Sequence, residues 1–152
     1  MDPLIHLDYK IDKLKLLKES SLAKINSKGY IDPRYPDLTL EDWKIGHYTS
    51  HYIEKIIKDF DVIGKPRFYW LNPYAKIPEH IDNGTLCSIN IILTDSAAPI
   101  VINNKEYKYN LALLNTQVPH SVNNNEIERI MLKISIFNET FDNLASRIRY
   151  KI

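Results

Sequence analysis

Hydrophobic positions along the chain follow two different periods. In SHYIEKIIKDF, Ile53, Ile56, Ile57 and Phe60 recur at i, i+3, i+4 and i+7, which predicts an amphipathic helix. Upstream, Ile5, Leu7, Tyr9 and Ile11 alternate in IHLDYKI and predict an edge strand. After Asp12 as a cap, Leu14, Leu17, Ser21 and Ile25 follow helical spacing and predict a second helix. KGYIDPRYPDLT carries Gly29, Pro33 and Pro36 and predicts a loop. Thr39 with Asp42 resembles a helix-start box and predicts a short helix containing Trp43. From Pro66 onward the period becomes two: RFYWLNP, TLCSINIIL, PIVINN, NLALLNT and RIMLKISIF are short runs rich in Ile, Leu, Val and aromatics. Turn signals separate them at Pro73, Asn83-Gly84, Asp95-Ser96, Asn103-Asn104 and Asn123-Asn124-Asn125. The expected architecture is mainly β with an α-helical N-terminal part, the strands forming a sandwich or small barrel.

Composition narrows the function classes. The 152 residues suit one domain around one core. Twenty Lys and Arg against nineteen Asp and Glu give a formal net charge of +1, so no nucleic-acid partner is expected from charge. There is no run of 18 apolar residues, hence no expected membrane span. The start MDPLIHLDYK lacks a secretory signature, and the single cysteine, Cys87, has no internal partner; a reducing, cytoplasmic location is the expectation. The sequons at Asn83 and Asn138 are read as accidental in that setting.

The candidate chemistry lies in IPEHIDNG. His80 and Asp82 are two apart, so on an extended strand both side chains point to one face and can meet one ion. A neutral imidazole and a carboxylate suit Fe(II), and a second histidine would complete a two-His-one-carboxylate face. Of His6, His47, His51 and His120, the last stands out: VPHSVNN follows an apolar strand and a proline. Alone, H-x-D is a weak signal, and a Pro-His-Ser histidine is usually a surface residue. In RIMLKISI, Ile130, Leu132, Ile134 and Ile136 face one way, and Arg129, Met131, Lys133 and Ser135 the other. That second face is either solvent, as Lys133 suggests, or a barrel interior where Arg129 would clamp a carboxylate.

With these residues in place, the back half resembles the iron(II)- and 2-oxoglutarate-dependent oxygenases. FYWLNPYAKIPEHIDNG followed by VPHSVNNNEIERIMLKISI is similar to the aspartyl/asparaginyl β-hydroxylase group and to small prolyl hydroxylase-like bacterial and phage members. The likeness covers roughly residues 66 to 137. It implies a double-stranded β-helix (jelly-roll or cupin-like) core over 63–140, with 1–62 a mostly helical support, in one domain spanning 1–152. It implies Fe(II) held by His80, Asp82 and His120, with 2-oxoglutarate as cosubstrate and Arg129 on its distal carboxylate. Ascorbate would serve in vitro. The family's second basic residue on the strand after H-x-D has no counterpart in TLCSINIIL, where Ser88 and Asn90 are the polar candidates; Tyr69 is another. The implied activity is a dioxygenase that hydroxylates an amino-acid side chain in a peptide, a protein or a free amino acid.

Two rival readings stand beside it. A non-oxygenase cupin would add a His or Glu ligand near the first motif, but Glu79 should point to the opposite face from His80. A catalytically silent binding module on the same fold is the other. Tyr30, Tyr35, Trp43, Tyr48 and Tyr52 either wall a substrate cleft or pack helices onto the barrel, the second being the commoner use of such residues.

Overall fold

The computed structural model describes residues 2–29, 39 and 41–152. In chain order the elements are β1 (Leu4–His6), α1 (Lys13–Lys24), β2 (Lys28–Gly29), β3 (Trp43–His47), α2 (His51–Phe60), β4 (Gly64–Leu71) and β5 (Lys76–His80). They continue with β6 (Cys87–Ile92), β7 (Ile100–Ile102), β8 (Lys105–Tyr107), β9 (Leu111–Leu114), β10 (His120–Asn123), β11 (Arg129–Ile136) and α3 (Phe141–Arg147). Two antiparallel sheets result: a seven-stranded one in the order β1-β9-β6-β11-β4-β3-β2, and a four-stranded one in the order β5-β10-β7-β8.

The large sheet has two different faces because alternate residues of each strand point to opposite sides. On one face Phe68, Trp70, Ile89, Ile91, Leu132, Ile134 and Ile136 pack against the helices. Helix α2 is anchored there by Ile53, Ile56, Ile57 and Phe60, all buried, each contributing about 1.5–3 kcal/mol by leaving water. Ser50 caps it by accepting from the Ile53 amide at 3.1 Å, and Asp61 closes it in the left-handed conformation at φ 56°. The opposite face turns toward the small sheet. Leu4, Leu71, Ala112 and Leu114 of the large sheet meet Ile100, Ile102 and Val122 of the small one in a second, smaller apolar cluster. The remainder of that space is a cavity.

Four expectations change. The N-terminal part, expected to be mostly helical beyond its edge strand, also supplies β2 and β3 to the large sheet. Thr39 and Asp42 do form the local motif, the Thr39 amide and hydroxyl donating to Asp42 Oδ2 at 2.9 and 2.8 Å, but the turn delivers Trp43 into strand β3. Edge pairing with β4 and the β preference of Trp and Ile override the box. Helix α1 buries Leu16, Glu19, Ser20 and Ala23 rather than the anticipated stripe, leaving Leu14 and Ile25 77% and 79% exposed. A helix α3, capped by Thr140 through the Asn143 amide, follows β11; its cap is the threonine of the second sequon. The edge strand near the N-terminus is borne out but shorter, as β1 at the rim of the large sheet. Most of the loop expected around Pro33 and Pro36 lies outside the described residues, as do Tyr30 and Tyr35.

Candidate metal centre and its cavity

His80 and His120 are directly opposite each other on the paired strands β5 and β10. Cross-strand partners share a face, and the two imidazole centroids are 4.3 Å apart. Strand β5 contains Pro78, which it tolerates as an edge strand of the small sheet. Asp82 lies beyond the end of β5, so the loop rather than the pleat brings it in. Its amide donates to Thr116 O at 3.0 Å, and its carbonyl accepts from the Gln117 side chain at 2.9 Å. The chain then leaves through Gly84 at φ +84°, which glycine adopts without cost. His120 is the first residue of strand β10, not a loop residue.

The ligand atoms converge. Asp82 Oδ1 is 3.3 Å from His80 Nε2 and 3.2 Å from His120 Nε2, with the three side chains only 11–13% exposed. Both rings are oriented the same way. His80 Nδ1 is 2.7 Å from Pro78 O and His120 Nδ1 is 2.8 Å from Val118 O. A carbonyl only accepts, so each Nδ1 carries the proton and each Nε2 turns a lone pair toward Asp82. Three electron-rich atoms therefore face one point, all within 4.8 Å of one another. A cation fits such a cluster, and backbone carbonyls on the outer ring nitrogens are the usual support for metal-binding histidines. The donor set is that of non-haem iron(II) sites.

Lys133 adds a contact the sequence did not assign. Its Nζ lies 2.6 Å from Asp82 Oδ2, on the oxygen turned away from the imidazoles. Burial pushes the Asp82 carboxyl up, but His120, His80 and Lys133 together outweigh it and hold it well below the usual carboxylate range. An imidazole held by Nδ1–H donates to Asp82 only when doubly protonated; the Lys133 contribution operates in either state.

The triad opens onto a cavity of about 250 Å³ between the two sheets. This is slightly under the ~300–1,000 Å³ of sites for drug-sized ligands and suits small molecules. The seven residues expected from the sequence to hold metal or cosubstrate all line it: Tyr69, His80, Asp82, Ser88, Asn90, His120 and Arg129. The polar face of β11 is thus the cavity face, not a solvent face, with Met131 and Lys133 beside Arg129. Ser88 donates to Asn90 Oδ1 at 2.8 Å, and Asn90 donates to the Tyr109 hydroxyl at 3.2 Å, which fixes both side chains in the wall. Arg129 is 5% exposed, and among the described residues its Nε has no hydrogen-bond partner and its only polar contact is Nη1 to the Met131 sulfur at 3.7 Å. A buried guanidinium with no carboxylate paired to it is costly unless an anion joins it. Sequence reasoning missed Arg67, on β4 opposite Lys133, which also lines the cavity. The alternation of RFYWL would have placed it on the face of Tyr69. Of the front-half aromatics, Trp43 lines the cavity, whereas Tyr48 packs on Phe68 and Tyr52 packs against the helix-side core. Glu79 is exposed.

No family model matches the sequence, and no curated protein matches it. Solved structures do. A Pseudomonas putida prolyl-4-hydroxylase superimposes with a TM-score of 0.65 at 11% identity, over 89% of this chain and 91% of that one. A Trichoplax adhaerens prolyl hydroxylase, in complex with a hypoxia inducible factor oxygen degradation domain peptide fragment, gives 0.64 at 14% identity, over 95% and 86%. An oxidoreductase of the 2OG-Fe(II) oxygenase family from Burkholderia pseudomallei gives 0.56 at 11% identity, over 86% and 84%. At these identities the likeness is one of fold: the chain is mainly β, in antiparallel sheets with few helices, and shares its architecture with 2-oxoglutarate–iron(II) oxygenases and prolyl hydroxylases.

Proposed function

We propose that the chain is an Fe(II)- and 2-oxoglutarate-dependent dioxygenase with a double-stranded β-helix core, hydroxylating an amino-acid side chain in a peptide, a protein or a free amino acid. The observation that carries this reading is the pairing of two features in one cavity: three converging ligand atoms, and a buried guanidinium with no counter-ion among the described residues. His80, Asp82 and His120 would hold the iron, and Arg129 the distal carboxylate of 2-oxoglutarate. Bound there, the metal and cosubstrate would supply the oxidising power: 2-oxoglutarate and O2 become succinate and CO2, and one oxygen atom enters a substrate C–H bond.

The chain's own residues supply orientation. Pro78 O and Val118 O accept from the two Nδ1–H groups and aim both Nε2 atoms at the site. Lys133 engages one Asp82 oxygen, which leaves the other as a single ligand. Leu71, Ile100, Leu114 and Val122 form an apolar wall of the cavity that would shield the reacting centre. Ser88, Asn90 and Tyr69 would border the cosubstrate. The exposed Glu79 offers no fourth ligand of the cupin kind, which favours the oxygenase over the plain cupin. The test is succinate formation from 2-oxoglutarate with Fe(II) and ascorbate. It should require the metal and vanish in His80→Ala and Asp82→Ala. Undiminished turnover and metal binding in either variant would overturn the assignment.

A further inference from the structure

Arg67 is left over after this reading has used the other charges of the cavity. Its Nε is buried without a hydrogen-bond partner, its Nη2 donates only to the Ser135 hydroxyl at 3.2 Å, and its guanidinium lies 5.5 Å from the Tyr69 ring centroid. Lys133, directly opposite on β11, lies 5.7 Å from the centroid of the same ring. Two cations in register on neighbouring strands repel. Lys133 is compensated by Asp82; Arg67 has no carboxylate among the described residues. A divalent ion and the 2-oxoglutarate dianion cancel each other in charge, so Arg67 and Arg129 remain as two excess positive charges. The cosubstrate's carboxylates already have destinations, the metal and Arg129. Around Arg67 the same sheet face is apolar: Ile45 is the register partner of Tyr69, and the Trp43 and Tyr69 rings are 6.2 Å apart.

Building on the oxygenase reading, we propose that Arg67 anchors a carboxylate of the primary substrate, whose adjoining apolar part rests on Tyr69, Trp43 and Ile45. The substrate class is a small carboxylate with an apolar body, supplied either by a free amino acid or by an acidic side chain of a peptide. A planar guanidinium with free donors takes a carboxylate in two parallel hydrogen bonds, which an amide cannot reproduce.

The experiment compares acid and amide pairs by calorimetry and thermal unfolding, on metal-free protein and on protein loaded with Mn(II) and 2-oxoglutarate. The probes are L-leucine, L-proline and L-phenylalanine against their amides, and acetyl-Leu-Asp-amide against acetyl-Leu-Asn-amide. At least one acid should bind tenfold or more tighter than its amide. That preference should fall below threefold in Arg67→Gln and partly return in Arg67→Lys, with 2-oxoglutarate affinity held within threefold. Whether the free acids or the Asp peptide shows the preference distinguishes the two sources. Equal binding of every pair, or no binding, overturns the proposal. So does a loss of 2-oxoglutarate affinity in Arg67→Gln as large as in Arg129→Gln, which would assign Arg67 to the cosubstrate. If wild type fails to bind 2-oxoglutarate with Mn(II), the oxygenase reading fails by itself, while the pairs on metal-free protein still decide Arg67.

Discussion

Replacing Lys133 by methionine removes one charge from the cavity and leaves the side chain's length nearly unchanged. In the metal-free protein Asp82 is then a buried carboxylate facing two imidazole lone pairs, with its 2.6 Å ion pair gone. Breaking a buried pair by deleting one partner costs about 3–5 kcal/mol, because the remaining charge is uncompensated. Relief of the repulsion between Lys133 and Arg67 returns about 0.2–1 kcal/mol. The net expectation is a loss of about 2–5 kcal/mol, which for a chain of this size lowers the melting temperature by roughly 4–20 °C. Metal should reverse the effect. A divalent ion gives Asp82 the partner it has lost and no longer competes with an ammonium for it. Saturating Mn(II) should therefore raise the melting temperature of Lys133→Met by several degrees more than it raises that of wild type. Scanning calorimetry with and without Mn(II) reads both numbers. A metal-free variant melting within about 1 °C of wild type, or an equal Mn(II) increment in the two proteins, would refute the claim that Lys133 serves as Asp82's counter-ion.

Three further outcomes follow from packing and burial. Asn124→Asp places carboxylate oxygens against Leu71 O, Asn72 O and Ile127 O, where an amide now donates at 2.9–3.1 Å, and should cost at least ~1–3 kcal/mol in urea unfolding. Gly64→Ala would drive a Cβ into Ile134 Cγ2; overpacking of this kind should lower stability by about 1–3 kcal/mol, and an unchanged urea midpoint would contradict it. Burial pushes the Cys87 thiol up to about 12, so at pH 8 it should resist a thiol reagent in the native state and react promptly in urea. Because the folded thiol titrates above the unfolded one, this group's contribution to stability is intact below pH 9 and is lost as pH rises toward 12.

What was legible in the sequence was set by local periodicity. Ile53, Ile56, Ile57 and Phe60 declare one face of α2 because nothing else in that segment is apolar enough to compete. The alternation of β11 sorted Arg129, Met131 and Lys133 onto one side, yet one strand cannot say whether that side meets water or an enclosed cavity. Only the facing small sheet decides it. Helix α1 misled because its leucines exceed what one face can bury. Docking selected Leu16 and Ala23 and left Leu14, Leu22 and Ile25 outside. Strand β3 was hidden by a Thr39–Asp42 motif that serves turns as well as helix starts. The convergence of His80, Asp82 and His120 rested on spacing, but the agent differs: β5–β10 pairing brings the histidines together, and a loop tied to Thr116 and Gln117 brings the aspartate. Arg67 escaped notice because what sets it apart is the lack of a carboxylate partner among the described residues, a property no linear pattern displays.

The central claim is that one cavity holds a metal and a dicarboxylate together. It is tested most directly by calorimetric titration of 2-oxoglutarate into wild type, Asp82→Ala and Arg129→Gln, each with and without Mn(II) under anaerobic conditions. Binding to wild type should depend on Mn(II), weaken at least tenfold in Arg129→Gln with the protein still folded, and disappear in Asp82→Ala. Binding that is indifferent to the metal, or that survives unchanged in Arg129→Gln, would contradict the account.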